Sequence, residues 1–398
     1  MKSEWTTYTV QELIDKEMLE PPMDGNHGEI HPKTTDYVKS GVPFIMANNL
    51  INGKVDYSNC SFITSKQAST LKKGFAHPGD VLLTHKATIG RTALVGTEYD
   101  NIILTPQVTY YRVKHGISNL YLKYYFDSNE FQQTLDNWAG SGSTRAYLGI
   151  TAQRKLPVVL PPFEIQTKIA EFGRILDDKI ELNNKVNENL LEQAEAVFNK
   201  FYDASTNRRP FTTMINVLGG GTPKTGNSEF WGGPIPFFTP KDVGTPYTFQ
   251  TEKYITEFGL KHCNSRLYPK DTTFVTARGT VGKISLAGSP MAMNQSCYAL
   301  ASETIDPLLV YFYVLKAVTS LKHKASGAVF DAIVTRDFDG EIINTLSDAD
   351  SESALSIIKP MMEAIHNNSS ENMRLSTVGD ALLPKLMSGE IDVSELDL

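Results

Sequence analysis

The sequence predicts an α/β (α+β) protein in which one plan is used twice. Two modules with mixed β-sheets are separated by two long, antiparallel, coiled-coil-like helices, forming an internal repeat of pseudo-two-fold character. Three observations carry this. Landmarks recur in the same order about 190 residues apart: Gly41-Val42-Pro43-Phe44-Ile45 is echoed by Gly233-Pro234-Ile235-Pro236-Phe237, and His77-Pro78-Gly79-Asp80 by Tyr268-Pro269-Lys270-Asp271. Thr88-Ile89-Gly90-Arg91 answers Thr280-Val281-Gly282-Lys283, and Thr105-Pro106-Gln107 answers Met293-Asn294-Gln295. Each half runs through short β-prone segments bounded by turn residues, and each closes on an amphipathic helix.

The elements follow in order. In residues 1–160, the runs Asp80–Leu83 and Ile102–Val113 read as strands, followed by a short aromatic helix over Leu120–Asp127. Residues 161–203 form the first arm. Pro161-Pro162 marks its start, since proline is tolerated in a first helical turn and not deeper. Apolar residues at helical spacing then continue from Ile165 to Phe201, a helix of about 55 Å at 1.5 Å per residue. Heptad steps place Ile169, Leu176, Asn183, Leu190 and Val197 on one seam row, with Ile165, Phe172, Lys179 and Val186 on a second. Arg208-Arg209-Pro210 opens the second module, residues 204–347, whose strands are expected at Thr272–Thr276 and Met291–Leu300 and whose aromatic helix is expected at Leu308–Ala317. In the second arm, residues 348–398, Ile358, Ile365 and Asn372 fall 189 residues after Ile169, Leu176 and Asn183. Met361 and Leu375 likewise match Phe172 and Val186. A buried Asn at one seam position of both arms, Asn183 and Asn372, would fix register and orientation at some cost in stability. Pro360 predicts a kink or a start within the second arm.

A chain of 398 residues suits two ordinary domains plus connecting elements. Its net charge of −7 is unevenly spread. Residues 1–160 carry 16 cations against 15 anions and residues 204–347 carry 14 against 11, whereas the arm segments carry 5 against 9 and 3 against 10. The modules are therefore neutral to mildly basic and the arms acidic. Phosphate binding depends on local basic patches, so the global balance does not exclude nucleic acid. Three widely spaced cysteines, Cys60, Cys263 and Cys297, fit small buried hydrophobes in a reducing cytoplasm. No apolar run is long enough to span a bilayer, and no signal-peptide core precedes the first module.

Catalytic motifs are not found. Gly219-Gly220-Gly221-Thr222-Pro223-Lys224-Thr225 resembles a phosphate loop, but Pro223 removes the backbone donor that should precede the lysine. Leu160-Pro161-Pro162-Phe163 has the outline of an amino-methyltransferase tetrapeptide without the Asn or Asp that would hold the target amine. No metalloprotease, serine-hydrolase or zinc-deaminase spacing occurs, and the eight histidines are scattered. Expected catalytic and metal sites are therefore none, and no cofactor is expected in this chain.

The positive signal is for reading DNA. Thr84–Arg91 and Thr276–Lys283 are strand-to-turn segments in which cations flank small hydroxyl and glycine residues. Small residues let backbone approach phosphate, while Lys86, Arg91, Arg278 and Lys283 suit phosphates or guanine edges. Lys224 and Lys241 add cations in the second module. Gln107 and Gln295 suit adenine. The loop Gly140–Tyr147 offers Ser143, Arg145 and Tyr147, and its counterpart Ala325–Phe330 offers Ser326 without an arginine. Asn26 and His27 lie in a polar glycine-flanked loop, Asp24–Gly28, expected only in the first half.

Several of these pieces together resemble the specificity subunit of a type I restriction-modification system over nearly the whole chain. They are Gly220-Gly221-Thr222-Pro223-Lys224 with Trp231 and Ile235-Pro236-Phe237, and Ala277-Arg278-Gly279-Thr280-Val281-Gly282-Lys283. Leu156–Pro162 leads into a helix with Gln166 and Ile169, and Ala381–Ile391 (ALLPKLMSGEI) is the most specific single piece. Two departures stand out: Thr345–Ala349 replaces the Leu-Pro-Pro entry in the second half, and Lys86-Ala87 stands where the family prefers Arg-Gly. The resemblance implies two target recognition domains, residues 1–160 and 204–347, each reading half of a split asymmetric double-stranded DNA target. It implies that the two arms set the spacer and dock two modification subunits, which use S-adenosylmethionine to methylate adenine N6. Two restriction or motor subunits, using ATP and Mg, can join such complexes. The chain itself would be non-catalytic and cytoplasmic, without membrane association. Two other readings fit the same residues: an orphan specificity chain serving methylation only, and a duplicated scaffold that binds no DNA.

Overall fold

A computed structural model describes residues 5–140, 146–244, 246–324 and 332–393. The chain divides into two compact units, Met1–Asp177 with Thr377–Leu398, and Asp178–Ser376. The division falls inside both arms, so the segments 161–203 and 348–398 are shared between the units.

In the first unit a six-stranded sheet runs in the order Met23–Asp24, Val108–Tyr111, Val81–Lys86, Thr88–Leu94, Gly53–Val55, Leu50–Ile51. Its strand pairs are antiparallel except Gly53–Val55 beside Thr88–Leu94. Strand alternation explains why Val81–Lys86 is central: successive side chains point to opposite faces, and both faces are covered. Val81 and Leu83 join the core built on Tyr121, Tyr125 and Phe126 of the helix Asn119–Asp127, while Leu82 joins Ile45, Ala93 and Leu104 on the other side. A four-stranded sheet, Ser61–Ile63, Val42–Ile45, Ile102–Leu104, Phe75–Ala76, supplies that second layer.

The expected single strand Ile102–Val113 is two. Pro106 occupies the second position of a turn that the Val108 N–H closes onto the Thr105 carbonyl at 3.1 Å, so Ile102–Leu104 and Val108–Tyr111 enter different sheets. Met291–Leu300 divides in the same way into Ala292–Met293 and Cys297–Ala301, and the aromatic helix after it extends to Pro307–Lys324.

The second unit repeats the plan with a five-stranded sheet, Asn216–Gly219, Cys297–Ala301, Thr273–Thr276, Ile284–Ala287, Tyr247–Thr248. A three-stranded sheet, Tyr254–Ile255, Trp231–Phe238, Ala292–Met293, lies beside it. Val275 faces the core with Phe198 and Phe312, and Phe274 packs with Phe238 and Met293. Each unit also carries a two-stranded antiparallel ribbon that brings module start and end together, Thr6–Thr9 with Pro157–Leu160 and Arg208–Pro210 with Ile342–Asn344.

Pairing register sets the correspondence between units. Val108 lies opposite Thr84 and Cys297 opposite Thr276, so Gln107 matches Ser296, and Gln295 matches Pro106. The two glutamines paired by sequence landmarks are one position out of step. Shared residue type stood in for register there, and a one-residue slip reverses the face of a strand residue.

The arms are the helices Phe163–Ala204, 42 residues, and Asp348–Met387, 40 residues. Pro360 lies exposed inside the second helix and does not begin it. The start is at Asp348, where the Ser347 hydroxyl accepts the Asp350 N–H at 3.1 Å, one turn earlier in seam register than the first arm. In the second unit the arms run antiparallel: Asn183 meets Asn372 at 2.8 Å, and Asn187 meets Asn368 at 2.9 Å and Ser369 at 3.2 Å. In the first unit Ile169 and Ala170 share a core with Leu386 and Met387 from the ALLPKLMSGEI segment. Gly389, at φ 67, ends the helix in the left-handed conformation, and the Lys385 carbonyl accepts the N–H groups of Glu390 and Ile391.

Of the predicted seam, Ile169, Asn183, Ile358 and Ile365 are buried, while Leu176, Leu190, Asn372 and Leu375 are half-buried. The second row of the first arm is displaced by one residue from the expected one. Gly173, Ile180, Asn187 and Ala194 occupy it, Phe172 flanks it half-buried, and Lys179 and Val186 are exposed. A glycine and an asparagine hid that row from an apolar pattern. Gly173 is required where it stands, because a Cβ there would lie 2.6 Å from the Tyr124 ring. Cys297 is buried, Cys60 and Cys263 are half-buried, and all are free thiols. Among the described residues no helix is long and apolar enough to cross a membrane, and no His/Cys/Asp/Glu group has the makings of a metal site.

Candidate nucleic-acid interface

In each unit the end of one central strand gathers the loops that carry the candidate residues. In the first unit that strand is Val81–Lys86. The His85 N–H donates to the Gln107 carbonyl at 3.0 Å, and the His85 carbonyl accepts the Leu148 N–H at 2.9 Å. Lys86 bridges Tyr147, so Gln107 and Tyr147 flank the strand end on either side. Lys86 is exposed and Tyr147 is 51% exposed, with its ring 5.8 Å from that of buried His85. Burial pushes His85 down to about 4, so the imidazole is neutral, with Nδ1 at 2.8 Å from the Thr109 hydroxyl.

The hairpin that follows is held by side chains. Ala87 takes φ 65 at the turn, the Thr84 hydroxyl accepts the Arg91 N–H at 2.9 Å, and Gln132 donates to the Gly90 carbonyl at 2.9 Å. The loop Asp24–Gly28 packs alongside. Gly25 is forced by backbone, since a Cβ would sit 1.9 Å from the Leu104 carbonyl oxygen. Asp24 is buried and holds Lys73 at 2.5 Å and His27 at 2.8 Å. Burial alone would raise the Asp24 carboxyl, but hydrogen bonds from Lys73 and His27 outweigh it and hold it below the usual carboxylate range.

The second unit reproduces this scaffold around Thr273–Thr276 with different side chains. The Ala277 N–H donates to the Ser296 carbonyl at 2.8 Å, its carbonyl accepts the Ile333 N–H at 2.9 Å, and Arg278 bridges Ala332. Gly279, at φ 82, replaces Ala87; the Thr276 hydroxyl accepts the Lys283 N–H at 3.0 Å; and Lys322 donates to the Gly282 carbonyl at 2.7 Å. Burial lowers Lys322, and the neighbouring Lys283 lowers it further. Gly219-Gly220-Gly221-Thr222 occupies the place of Asp24-Gly25-Asn26-His27: Gly219 lies opposite Tyr298 as Asp24 lies opposite Thr109, and a Gly220 Cβ would sit 2.1 Å from the Asn294 carbonyl oxygen. The loop expected only in the first half is therefore present in both, disguised by its glycines. Such a surface, with exposed cations, amides and hydroxyls on closely approached backbone, suits phosphates and base edges.

The family model for the type I restriction modification DNA specificity domain matches residues 2–192 and 212–369. The chain belongs to this family. The MjaIX specificity subunit of Methanocaldococcus jannaschii is 34% identical over 120 residues, 29% of this chain and 28% of that protein. The chain thus spans less than a third of that relative. The HindI specificity subunit of Haemophilus influenzae is 22% identical over an alignment covering 88% of this chain and 94% of the relative. The crystal structure of the type I restriction-modification S subunit from M. genitalium aligns over 96% of both chains with a TM-score of 0.59 at 14% identity, a likeness of fold.

In this specificity-family chain the predicted residues separate clearly. Lys86, Gln107 and Tyr147 are brought together, with His27 beside them through Asp24. Arg91 is exposed at the base of the hairpin. Asn26 is a correction. It is buried, its amide donating to the Lys73 carbonyl at 2.6 Å and accepting the Lys72 N–H at 3.0 Å, so the side chain is spent on the protein. In the second unit Arg278, Lys224 and Lys283 are exposed. Lys241 pairs with Glu252 at 3.3 Å on a turn whose Pro240 carbonyl accepts the Thr280 hydroxyl. Gln295 accepts a hydrogen bond from Thr222. Ser143, Arg145 and Ser326 lie outside the described residues.

Sequence reasoning missed Asn48, exposed at the position of Lys241. The two turns match because Met46 N–H bonds Asn49 as Thr239 N–H bonds Asp242. It also missed Lys73 and Lys322, whose placement depends on contacts far along the chain; only the basic pair Lys72-Lys73 could have signalled the first.

Proposed function

We propose that this chain is the non-catalytic DNA-reading subunit of a type I restriction-modification complex, with one half of a bipartite, asymmetric double-stranded target read by each unit. The observation that carries the reading is the repeated scaffold with changed side chains at matched positions: Lys86 and Arg278, Tyr147 and Ala332, Gln107 and Ser296, His27 and Thr222, Asn48 and Lys241. In both hairpins a threonine hydroxyl accepts the matching N–H, of Arg91 or Lys283, and a side chain, of Gln132 or Lys322, meets the matching glycine carbonyl, so the framework recurs while the presented chemistry differs. That is what two readers of different base sequences require. The acidic arms, with apolar seams and polar outer faces, would dock two modification subunits, with S-adenosylmethionine bound there for adenine N6 methylation. ATP and Mg would belong to restriction subunits where these join.

Exchanging residues 1–160 for those of another family member, followed by methylome sequencing of cells carrying the modification subunits, tests this. One half-site should change and the other should stay. Change in both, or in neither, overturns the reading.

A further inference from the structure

The first unit contains a charged cluster that has no counterpart at the matching positions among the described residues of the second. Asp24 is 3% exposed and lies at the base of its loop, with its two carboxylate oxygens divided between Lys73 Nζ at 2.5 Å and His27 Nε2 at 2.8 Å. The His27 side chain is 53% exposed. The cluster belongs to the candidate interface, because Asp24 lies opposite Thr109, whose hydroxyl meets Nδ1 of His85 at 2.8 Å, next to Lys86 at the strand end. At the matching places the second unit has Gly219 and Thr222, and Ala277 in place of His85. None of these can carry charge.

A carboxylate only accepts hydrogen bonds, so the ring nitrogen facing Asp24 must carry the proton. In neutral imidazole the other nitrogen is then an acceptor, and a buried partner of fixed charge selects the tautomer. We infer that His27 is a specificity-determining residue of the first half-site: Asp24 fixes its Nε2–H tautomer, so that Nδ1 is presented as an acceptor to a base bearing an exocyclic amino group, adenine N6 or cytosine N4. Asp24 is the positioning residue, and Lys73 keeps it charged. In the major groove those amino groups are donors, whereas guanine O6 and thymine O4 are acceptors that would face Nδ1 unfavourably. Unlike Asn26, whose amide is consumed internally, His27 keeps one ring nitrogen uncommitted to Asp24.

The inference rests on the DNA-reading function above, and the experiment separates the two. The complex reconstituted with its modification subunits is bound to duplexes randomised in one half-site at a time, for the wild type and for His27→Glu, His27→Lys and Asp24→Asn. The acceptor-only His27→Glu should keep the amino-base preference at one position of the first half-site. The donor-only His27→Lys should lose it by about tenfold. Asp24→Asn should weaken preference at that same position and no other. Replacing the read base with an analogue lacking its amino group should cost the wild type about tenfold and His27→Lys nothing. Unchanged base preference in all three variants, with each half-site still assigned to its own unit, overturns the inference and leaves the function standing. A tenfold loss spread equally over every position of both half-sites also overturns it, as a structural effect. Absence of any half-site preference in the wild-type complex would sink the DNA-reading function itself.

Discussion

Asn183 on the first arm donates its amide to the side chain of Asn372 on the second at 2.8 Å, and the same amide also reaches Glu371 at 2.8 Å. Asn372 in turn donates to Asn184 at 2.8 Å, and four residues along Asn187 accepts from Asn368. The seam of the second unit is therefore closed at its apolar end by Ile358 and Ile365 and continued by a ladder of amides. Amides pair only at matching height, whereas Ile and Leu tolerate sliding, so this ladder specifies register and antiparallel direction.

Truncating one partner should cost more than replacing both. Asn183→Ala leaves Asn372 short of a partner in a half-buried seam and should destabilise the second unit by about 1–3 kcal/mol. Asn183→Leu with Asn372→Leu should be near neutral or stabilising, because both amides of the pair are removed together and Asn184, which loses the Asn372 donor, is exposed to water. Denaturant unfolding followed by Trp231, the tryptophan of the second unit, reads both variants. Equal destabilisation by the single and double changes would mean that the pair contributes packing alone.

Gly173→Ala sets helix propensity against space. Alanine should gain about 1 kcal/mol over glycine in a helix interior. Its Cβ, however, would meet the Tyr124 ring at 2.6 Å, and that ring is anchored by a 2.7 Å hydrogen bond from its hydroxyl to Asp177. Overpacking of this kind costs about 1–3 kcal/mol. We expect net destabilisation of the first unit, seen as a lower Tm by Trp5 and Trp138 fluorescence; a raised Tm would show that the ring can move aside.

What the sequence made legible was what neighbouring residues determine. The arms could be read because Ile169, Ile358 and Ile365 mark a seam unaided, and the hairpins because each needs Thr, Gly and cations within eight residues. The missed features depend on distant partners. Nothing around Asn26 shows that the backbone of Lys72 and Lys73 will consume its amide. The row through Gly173 and Asn187 has small or polar residues at those two positions, where a Tyr ring and an amide ladder fill the space. Gln107 and Gln295 looked equivalent by type, and only strand register separates them.

The turn residues explain one departure from the family pattern. Lys86-Ala87 stands where Arg-Gly is preferred, yet Ala87 takes φ 65, close to the φ 82 of Gly279. A left-handed conformation costs an L-residue about 1–2 kcal/mol, while glycine costs about 0.4–1 kcal/mol of unfolded-chain entropy. Ala87→Gly should therefore stabilise the first unit by about 0.5–1 kcal/mol, and Gly279→Ala should destabilise the second by a similar amount. Chemical denaturation of the two variants checks both signs.

His85 should make the first unit acid-sensitive in a defined window. Its folded value of about 4 lies below the 6.5 of an exposed imidazole, so as pH falls the unfolded chain binds a proton before the folded one does. Stability should be unaffected above about pH 7 and then fall from about pH 6.5 towards 4, by about 1.4 kcal/mol per pH unit at the steepest. The lowered carboxyl of Asp24 acts in the same sense but in a more acidic window, its contribution being lost only as pH falls below the usual carboxylate range. His85→Asn should flatten the slope between pH 6.5 and 4.5 in unfolding followed by Trp5 and Trp138. An unchanged slope would assign the acid sensitivity to other groups.

Lys86 and Arg278 occupy matched strand ends but differ in chemistry, and the difference predicts separable phenotypes. Arginine's planar fork can engage guanine O6 and N7 together, whereas lysine is a compact point charge suited to phosphate. Arg278→Ala should therefore cost about 1–3 kcal/mol against the preferred second half-site and relax its sequence preference, leaving the first half-site unaltered. Lys86→Ala should weaken binding to all sequences alike and reduce the slope of log affinity against log salt by about one. Titrations of the reconstituted complex at several salt concentrations, on duplexes varied in one half-site at a time, distinguish the two. A uniform loss from Arg278→Ala, with both half-site preferences intact, would make it a phosphate contact like Lys86. Base reading in the second unit would then fall to the Thr222–Gln295 pair, hydrogen-bonded side chains on the matching loops.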